Sequence, residues 1–333
     1  MITDLTPNAT GKPGTGISDI HIHTKSNGAS VVADVPGSLV YPGPRSATDQ
    51  QAPLIQALCE KCLAVGRSDF MIEEGGHFYR GRRDSRAVDG LWFRLRRMAD
   101  VAPNLDELPT PMAAILKNTL LAEQLTKGGL IFVTGGPGCG KTTTASAILV
   151  SRLHQYGGVA YTVEDPPEMP LNGRHGPGYC TQTWVAGDDS ADWAESMRGV
   201  LRSQPVGTNL MLYVGEVRDA ETGRAMLRAA SNGFLVVSTG FGNDIVSGID
   251  AFFQLCGREY AMSVASVLRV VLYQKIIDGK FNAQMLVSES ASSAVAAIIR
   301  NGQIAQLQNE VNYQKNRQIS GEAFFQLPKA RAA

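Results

Sequence analysis

An α/β unit built on a parallel sheet around a phosphate-binding loop is predicted over residues 104–333, behind a smaller α+β unit over 17–103 and a loose lead-in over 1–16. Three observations predict it. Short apolar runs alternate with helical patterns through the second part, the mark of βαβ units whose sheet is covered on both faces. A glycine-rich loop with Lys141 and Thr142 sits between one such run and one such helix. Pro103, Pro109 and Pro111 punctuate the chain where its pattern changes.

The 333 residues suggest two domains at about 150 residues each. Hydrophobic residues make up 44% and charged residues 19%, against about 25% charged in an average globular chain, so a disordered or coiled-coil protein is excluded. Lysine plus arginine equal aspartate plus glutamate at 31 each, so bulk electrostatics would not hold nucleic acid and no direct nucleic-acid contact is expected. Five cysteines are too few and too odd for a disulfide scaffold, which favours a reduced, cytoplasmic setting. No apolar run approaches the ~18 residues of a membrane span, and Met1–Gly16 lacks the apolar centre of a leader.

In chain order, Ile17–Ile22 alternates apolar and polar residues as a strand does, with Asp19 expected to make a turn. Val31–Val32 and Leu39–Val40 are short strands either side of Pro36-Gly37. Leu54, Ile55, Leu58, Cys62 and Val65 have helical spacing, with Gly66 as the stop. Phe70–Met98 reads as further strands. Beyond the proline-rich boundary come a strand at Leu130–Thr134, a helix from Lys141, strands at Val159–Val163 and Leu210–Val214, a helix from Ala220 and a strand at Leu235–Ser238. The last fifty residues read as helical, with serines placed to cap the run Ala294–Ile299.

Gly135-Gly136-Pro137-Gly138-Cys139-Gly140-Lys141-Thr142 satisfies G-x-x-x-x-G-K-[ST] between strand and helix. The chemistry demands these residues. Glycines let successive N–H groups turn toward phosphate oxygens, and the helix that follows presents the positive end of its dipole. Residues 135–143 are therefore assigned to ATP, Lys141 to its β- and γ-phosphates and Thr142 to Mg²⁺. Acidic groups are needed beside such a loop, and two stretches end apolar strands: Thr162-Val163-Glu164-Asp165-Pro166-Pro167-Glu168 and Val214-Gly215-Glu216-Val217-Arg218-Asp219. Gly215 stands where many P-loop proteins carry a metal-ligating aspartate. Glu216 is accordingly assigned to polarise the attacking water, with Glu164 and Glu168 supporting Mg²⁺ and its waters; the plainer alternative is that these acids cap helices and turns.

In this order the pieces resemble the traffic ATPases of type II and type IV secretion and pilus systems, the PilT-like and GspE-like motors, nearest the DotB-like and TraJ-like conjugative branch. The resemblance runs from Ser18 to about Val311 and includes the acidic box at Thr162–Glu168 and the segment Gly215-Glu216-Val217-Arg218-Asp219-Ala220-Glu221-Thr222. It implies a PAS-like N-terminal domain, a RecA-like ATPase domain, a ring of six copies and an inner-membrane platform or secretion channel as partner, with the protein peripheral to that membrane. It also implies that arginines of the first domain sense the γ-phosphate across a subunit border. Seven arginines lie between Tyr79 and Met98 against Asp84 and Asp89, and Arg80 and Arg96 align best with that role; a solvated basic face or a nucleic-acid patch are the alternatives.

Two departures stand out. Where the family has histidines in a conserved box, this chain has Phe234 and Phe241, which neither donate to phosphate nor relay a proton. Where assembly-type members often carry a four-cysteine metal insert, this chain has only Cys59 and Cys62, on an expected helix with apolar neighbours. His21 and His23 share a strand face without a carboxylate or cysteine spaced to complete a metal site. Other readings are a nucleotide-gated ring with little hydrolysis, a RecA-like DNA-dependent ATPase, and a small-molecule P-loop kinase.

Overall fold

A computed structural model describes residues 17–185, 190–217 and 219–325. Two compact units result: one holds the described residues up to Val101 with Glu168–Pro170, the other Ala102–Pro167 and the described residues from Leu171 on.

The first unit contains β1 (Asp19–Asn27), β2 (Ser30–Ala33), β3 (Leu39–Val40), β4 (Arg45–Ser46), α1 (Ala52–Ala64), β5 (Asp69–Glu74), β6 (His77–Asp84) and β7 (Trp92–Arg97). Its antiparallel sheet runs β4-β3-β1-β7-β6-β5, with β2 also on β1. Alternation along β1 buries Ile20, Ile22 and Thr24 on one face, as a half-buried strand requires. The helix α1 contributes Ile55, Leu58, Cys59 and Cys62 to the core. Burial pushes the thiols of Cys59 and Cys62 up to about 11 and about 12, so both act as small apolar groups. Asp19 makes no turn. It is the first residue of β1 and accepts from Arg96 Nε at 2.8 Å, because the β1–β7 register sets the two directly opposite. Both histidines are spent on local bonds: His21 Nδ1 lies 3.2 Å from the Tyr41 hydroxyl, and His23 reaches Asp34 Oδ2 at 3.1 Å and the Asp89 carbonyl at 3.0 Å.

The second unit contains α2 (Ala114–Leu120), β8 (Gly129–Thr134), α3 (Lys141–Tyr156), β9 (Val159–Glu164), β10 (Gly173–His175), β11 (Gly178–Trp184), α4 (Ser190–Arg202), β12 (Leu210–Val214), α5 (Ala220–Ser231), β13 (Leu235–Gly240), α6 (Ile245–Cys256), α7 (Ala261–Val267), β14 (Leu268–Ile277), β15 (Lys280–Val287), α8 (Ala294–Arg300) and α9 (Leu307–Ser320). Strand order is β10-β11-β9-β12-β13-β8-β14-β15, parallel from β11 to β14 and antiparallel at both edges. Every residue of β8 and β13 is buried, which explains the apolar runs Leu130–Val133 and Leu235–Val237.

The helical expectation for the final fifty residues holds only from Ser293, whose hydroxyl caps α8 by accepting from Ala296 N at 3.2 Å. Before it, β14 and β15 form a hairpin closed at Ile277↔Lys280 by Asp278 (φ 50°) and Gly279 (φ 72°). That is the turn an Asp-Gly pair favours, since both central residues take positive φ. The α9 side chain of Gln314 then satisfies both backbone groups of Val287, accepting from its N–H at 2.7 Å and donating to its carbonyl at 2.9 Å. Arg152 on α3 is buried and donates to the carbonyls of Leu120 and Ala122 at 2.9 and 3.2 Å, and burial lowers its pKa to about 10.

Candidate active site

Residues 135–140 leave the carboxyl end of β8 and enter α3 at Lys141. Parallel sheets bind ligands at this edge, where strand ends, helix N-termini and loops converge. Glycine is required at Gly135, where a Cβ would lie 2.4 Å from the Gln274 carbonyl oxygen and 2.7 Å from Cys139 Sγ. Gly138 (φ 71°) and Gly140 (φ 82°) hold the left-handed conformations that turn the loop. Lys141 folds back over it, Nζ donating to the carbonyls of Gly135 and Gly136 at 3.0 and 2.8 Å. Thr142 and Thr143 follow in the first turn of α3, half-buried.

Two groups outside the motif complete this loop. Gln274, fully buried on β14, donates Nε2 to the Cys139 carbonyl at 2.7 Å across 135 residues of sequence. Its Oε1 has no hydrogen-bond partner among the described residues. Phe241, just beyond β13, sets its ring centroid 4.6 Å from Lys141 Nζ, well inside cation–π range. Phe234 is different. It precedes the amino end of β13, opposite to the loop, where its carbonyl accepts from Gly129 N, and its side chain is fully buried in the core. Of the two phenylalanines, only Phe241 stands at the site.

The acids come from the next strands. Glu164 ends β9, is buried, and accepts from Gln182 Nε2 at 2.8 Å. The β9–β12 register, which pairs Val163 with Val214, brings it beside Gly215: a Cβ there would meet Glu164 Cγ at 3.4 Å. Gly215 is thus flanked by the aliphatic stem of a glutamate from the neighbouring strand. Burial, with the Glu164 charge nearby, pushes the Cys180 thiol up to about 12. Glu216 lies two residues past the end of β12, half-buried. Its loop is tied to β13: Ser238 Oγ donates to the Val214 carbonyl at 2.8 Å, Thr239 Oγ1 to that of Gly215 at 2.6 Å, and Val217 N to that of Thr239 at 3.3 Å. Asp219 is a helix cap, accepting from Thr222 N and Thr222 Oγ1 at 2.8 Å each. Arg218 lies outside the described residues.

Glu168 belongs to the other unit. The Glu168–Pro170 segment groups with the first unit, where Arg80 Nη1 lies 3.6 Å from Glu168 Oε1. Arg80 and Arg96 are directly opposite on β6 and β7, as are Arg82 and Arg94. Like charges so placed repel. Each is offset by a carboxylate: Arg82 by Asp69 at 3.1 Å, Arg94 by Asp84 at 2.9 Å and Arg96 by Asp19.

The model of the type II/IV secretion system protein family matches residues 90–320. The chain belongs to that family. Among its relatives, the uncharacterized protein YggR of Escherichia coli (strain K12) is 31% identical over 66% of this chain and 65% of its own length. Type II secretion system protein E of Klebsiella pneumoniae is 31% identical over 78% of this chain and 51% of its own length. The chain therefore spans less than two thirds of these curated relatives. The crystal structure of the pilus retraction motor PilT with bound ADP superposes at a TM-score of 0.64, covering 91% of this chain and 90% of that one at 23% identity, which establishes a common fold. The fold is a RecA-like parallel sheet with a phosphate loop, preceded by a smaller antiparallel α+β domain. Within this family the acidic strand ends and the phosphate loop were legible as motifs. Gln274 and the contact between Phe241 and Lys141 were not, because strand pairing makes them.

Proposed function

We propose that this chain is an ATP-hydrolysing motor of a type II or type IV secretion or pilus system. In this reading it works as a ring of six copies on the cytoplasmic side of an inner-membrane platform. The observation that carries it is the phosphate loop with Lys141 on the same sheet edge as Glu164 and Glu216. Glu216 takes the proton of a water that attacks the γ-phosphorus. The bond from that phosphorus to the bridging oxygen breaks, and ADP leaves with the oxygen while Lys141 neutralises charge on the β- and γ-oxygens. Hard oxygen donors suited to Mg²⁺ are present in Thr142 and Glu164, the latter held by Gln182 Nε2 at 2.8 Å. When bound, Mg²⁺ supplies charge neutralisation between the phosphates. The arginines of the first domain, Arg96 foremost and then Arg80, are assigned to the γ-phosphate of a neighbouring copy, since guanidinium forks match phosphate oxygens and stay charged.

Phosphate release measured against protein concentration tests this, beside Glu216→Gln and Arg96→Ala. Specific activity should climb with concentration, and both variants should bind Mg·ATP with little turnover. Turnover independent of concentration, or unchanged in Glu216→Gln, refutes the motor. Phe241 on Lys141 favours one other reading, a nucleotide-gated ring with little hydrolysis, for which wild-type turnover would stay at the level of Glu216→Gln throughout.

A further inference from the structure

Phe241 is a large apolar side chain left 54% exposed, so burial does not account for it. Its position is fixed by close packing on both sides. A Cβ on Gly240 would fall 2.3 Å from Phe132 Cζ, and one on Gly242 2.5 Å from Thr134 Oγ1, so the backbone either side of Phe241 lies flat against β8, the strand that feeds the phosphate loop. The β13–β8 register sets Gly240 opposite Thr134. Asp244 then starts α6 in a capping box with Ser247, Ser247 N donating to Asp244 Oδ1 at 2.7 Å. A rigidly held loop thus presents one ring to one ammonium.

An ammonium has three donors and no acceptor. Two reach the loop's own carbonyls of Gly135 and Gly136, and the ring covers the group from a further side at 4.6 Å. Lys141 is therefore contacted on three sides by the protein's own groups. We propose that Phe241 is an aromatic latch on Lys141, competing with the nucleotide's terminal phosphates for the ammonium and lowering affinity for ATP and ADP until they displace it. The latch rests on the assignment of residues 135–142 to nucleotide.

Titration calorimetry of the full chain with Mg·ATP and Mg·ADP tests it in Phe241→Leu, Phe241→Ala and Phe241→Tyr. The exposed position leaves folding intact, and leucine keeps the apolar bulk while removing the π face. A cation–π contact of ordinary strength predicts binding about two- to fivefold tighter for leucine and alanine, with tyrosine near wild type. Equal or weaker binding in leucine and alanine overturns the latch, as does tyrosine behaving like leucine. Lys141→Met checks the underlying assignment separately: Mg·ATP binding that survives there removes the nucleotide site, and the latch with it, whereas binding lost there with no gain in Phe241→Leu removes the latch alone.

Discussion

Replacing Gln274 with methionine should weaken nucleotide binding while leaving the fold's stability almost unchanged. The peptide joining Cys139 to Gly140 is planar and trans, so its carbonyl and its N–H point in opposite directions. Because the Cys139 carbonyl accepts from Gln274 Nε2 at 2.7 Å, the Gly140 N–H is turned away from Gln274. In the proposed nucleotide site, the amide therefore sets the direction of a donor assigned to phosphate without touching the ligand. Its loss leaves a buried carbonyl unpaired, costing about 1–3 kcal/mol. The same substitution removes Gln274 Oε1, itself buried with no partner among the described residues, and relieves a cost of similar size. Methionine matches glutamine in length and fills irregular space, so packing changes little. The two polar effects offset to within about 1 kcal/mol, a shift in Tm of about 2–4 °C at most. Binding has no such offset. If the freed peptide rotates toward solvent, about 1–2 kcal/mol of preorganisation is lost, raising Kd for Mg·ATP about 5- to 30-fold. Thermal unfolding and calorimetry on the same sample decide it. A large fall in Tm, or an unchanged Kd, would refute the reasoning.

Two further outcomes follow from packing and burial. Gly240→Ala places a methyl 2.3 Å from Phe132 Cζ inside the core, which should destabilise the chain by about 1–3 kcal/mol; thermal unfolding reads this, and an unchanged Tm would show that β8 and β13 can part without cost. Cys139 is 7% exposed, while Cys59, Cys62, Cys180 and Cys256 are essentially inaccessible, with thiols pushed by burial up to about 11 for the first and about 12 for the others. Iodoacetamide at pH 8 should accordingly modify Cys139 first, and Mg·ATP should slow it; peptide mass spectrometry showing Cys59 or Cys62 alkylated as fast in the folded chain would contradict the burial.

What was legible in the sequence was chemistry carried by consecutive residues. The phosphate loop needs glycines, a lysine and a threonine at fixed offsets, and for Gly138 and Gly140 the requirement is local, as their φ values of 71° and 82° show. The strands β8 and β13 were legible for a related reason, since full burial leaves the apolar runs Leu130–Val133 and Leu235–Val237. The β14–β15 hairpin was missed although Asp278-Gly279 between apolar runs announces it: residues 268–283 received no assignment, and the helical expectation for the last fifty residues overran the end of β15. That miss had a consequence at the site: without β14 beside β8, nothing in the sequence brings Gln274 to Cys139. Gly215 illustrates the same limit in the other direction. Read along the chain it is a motif with its aspartate missing; in the sheet, the Val163↔Val214 pairing sets the stem of the buried Glu164 against it. Phe241 likewise reads as a lost histidine until the Gly240↔Thr134 pairing sets its ring on Lys141. In all three cases the sequence supplied the residue and strand register supplied its partner, so the departures from the family's pattern acquire a physical role only at the carboxyl edge of this sheet.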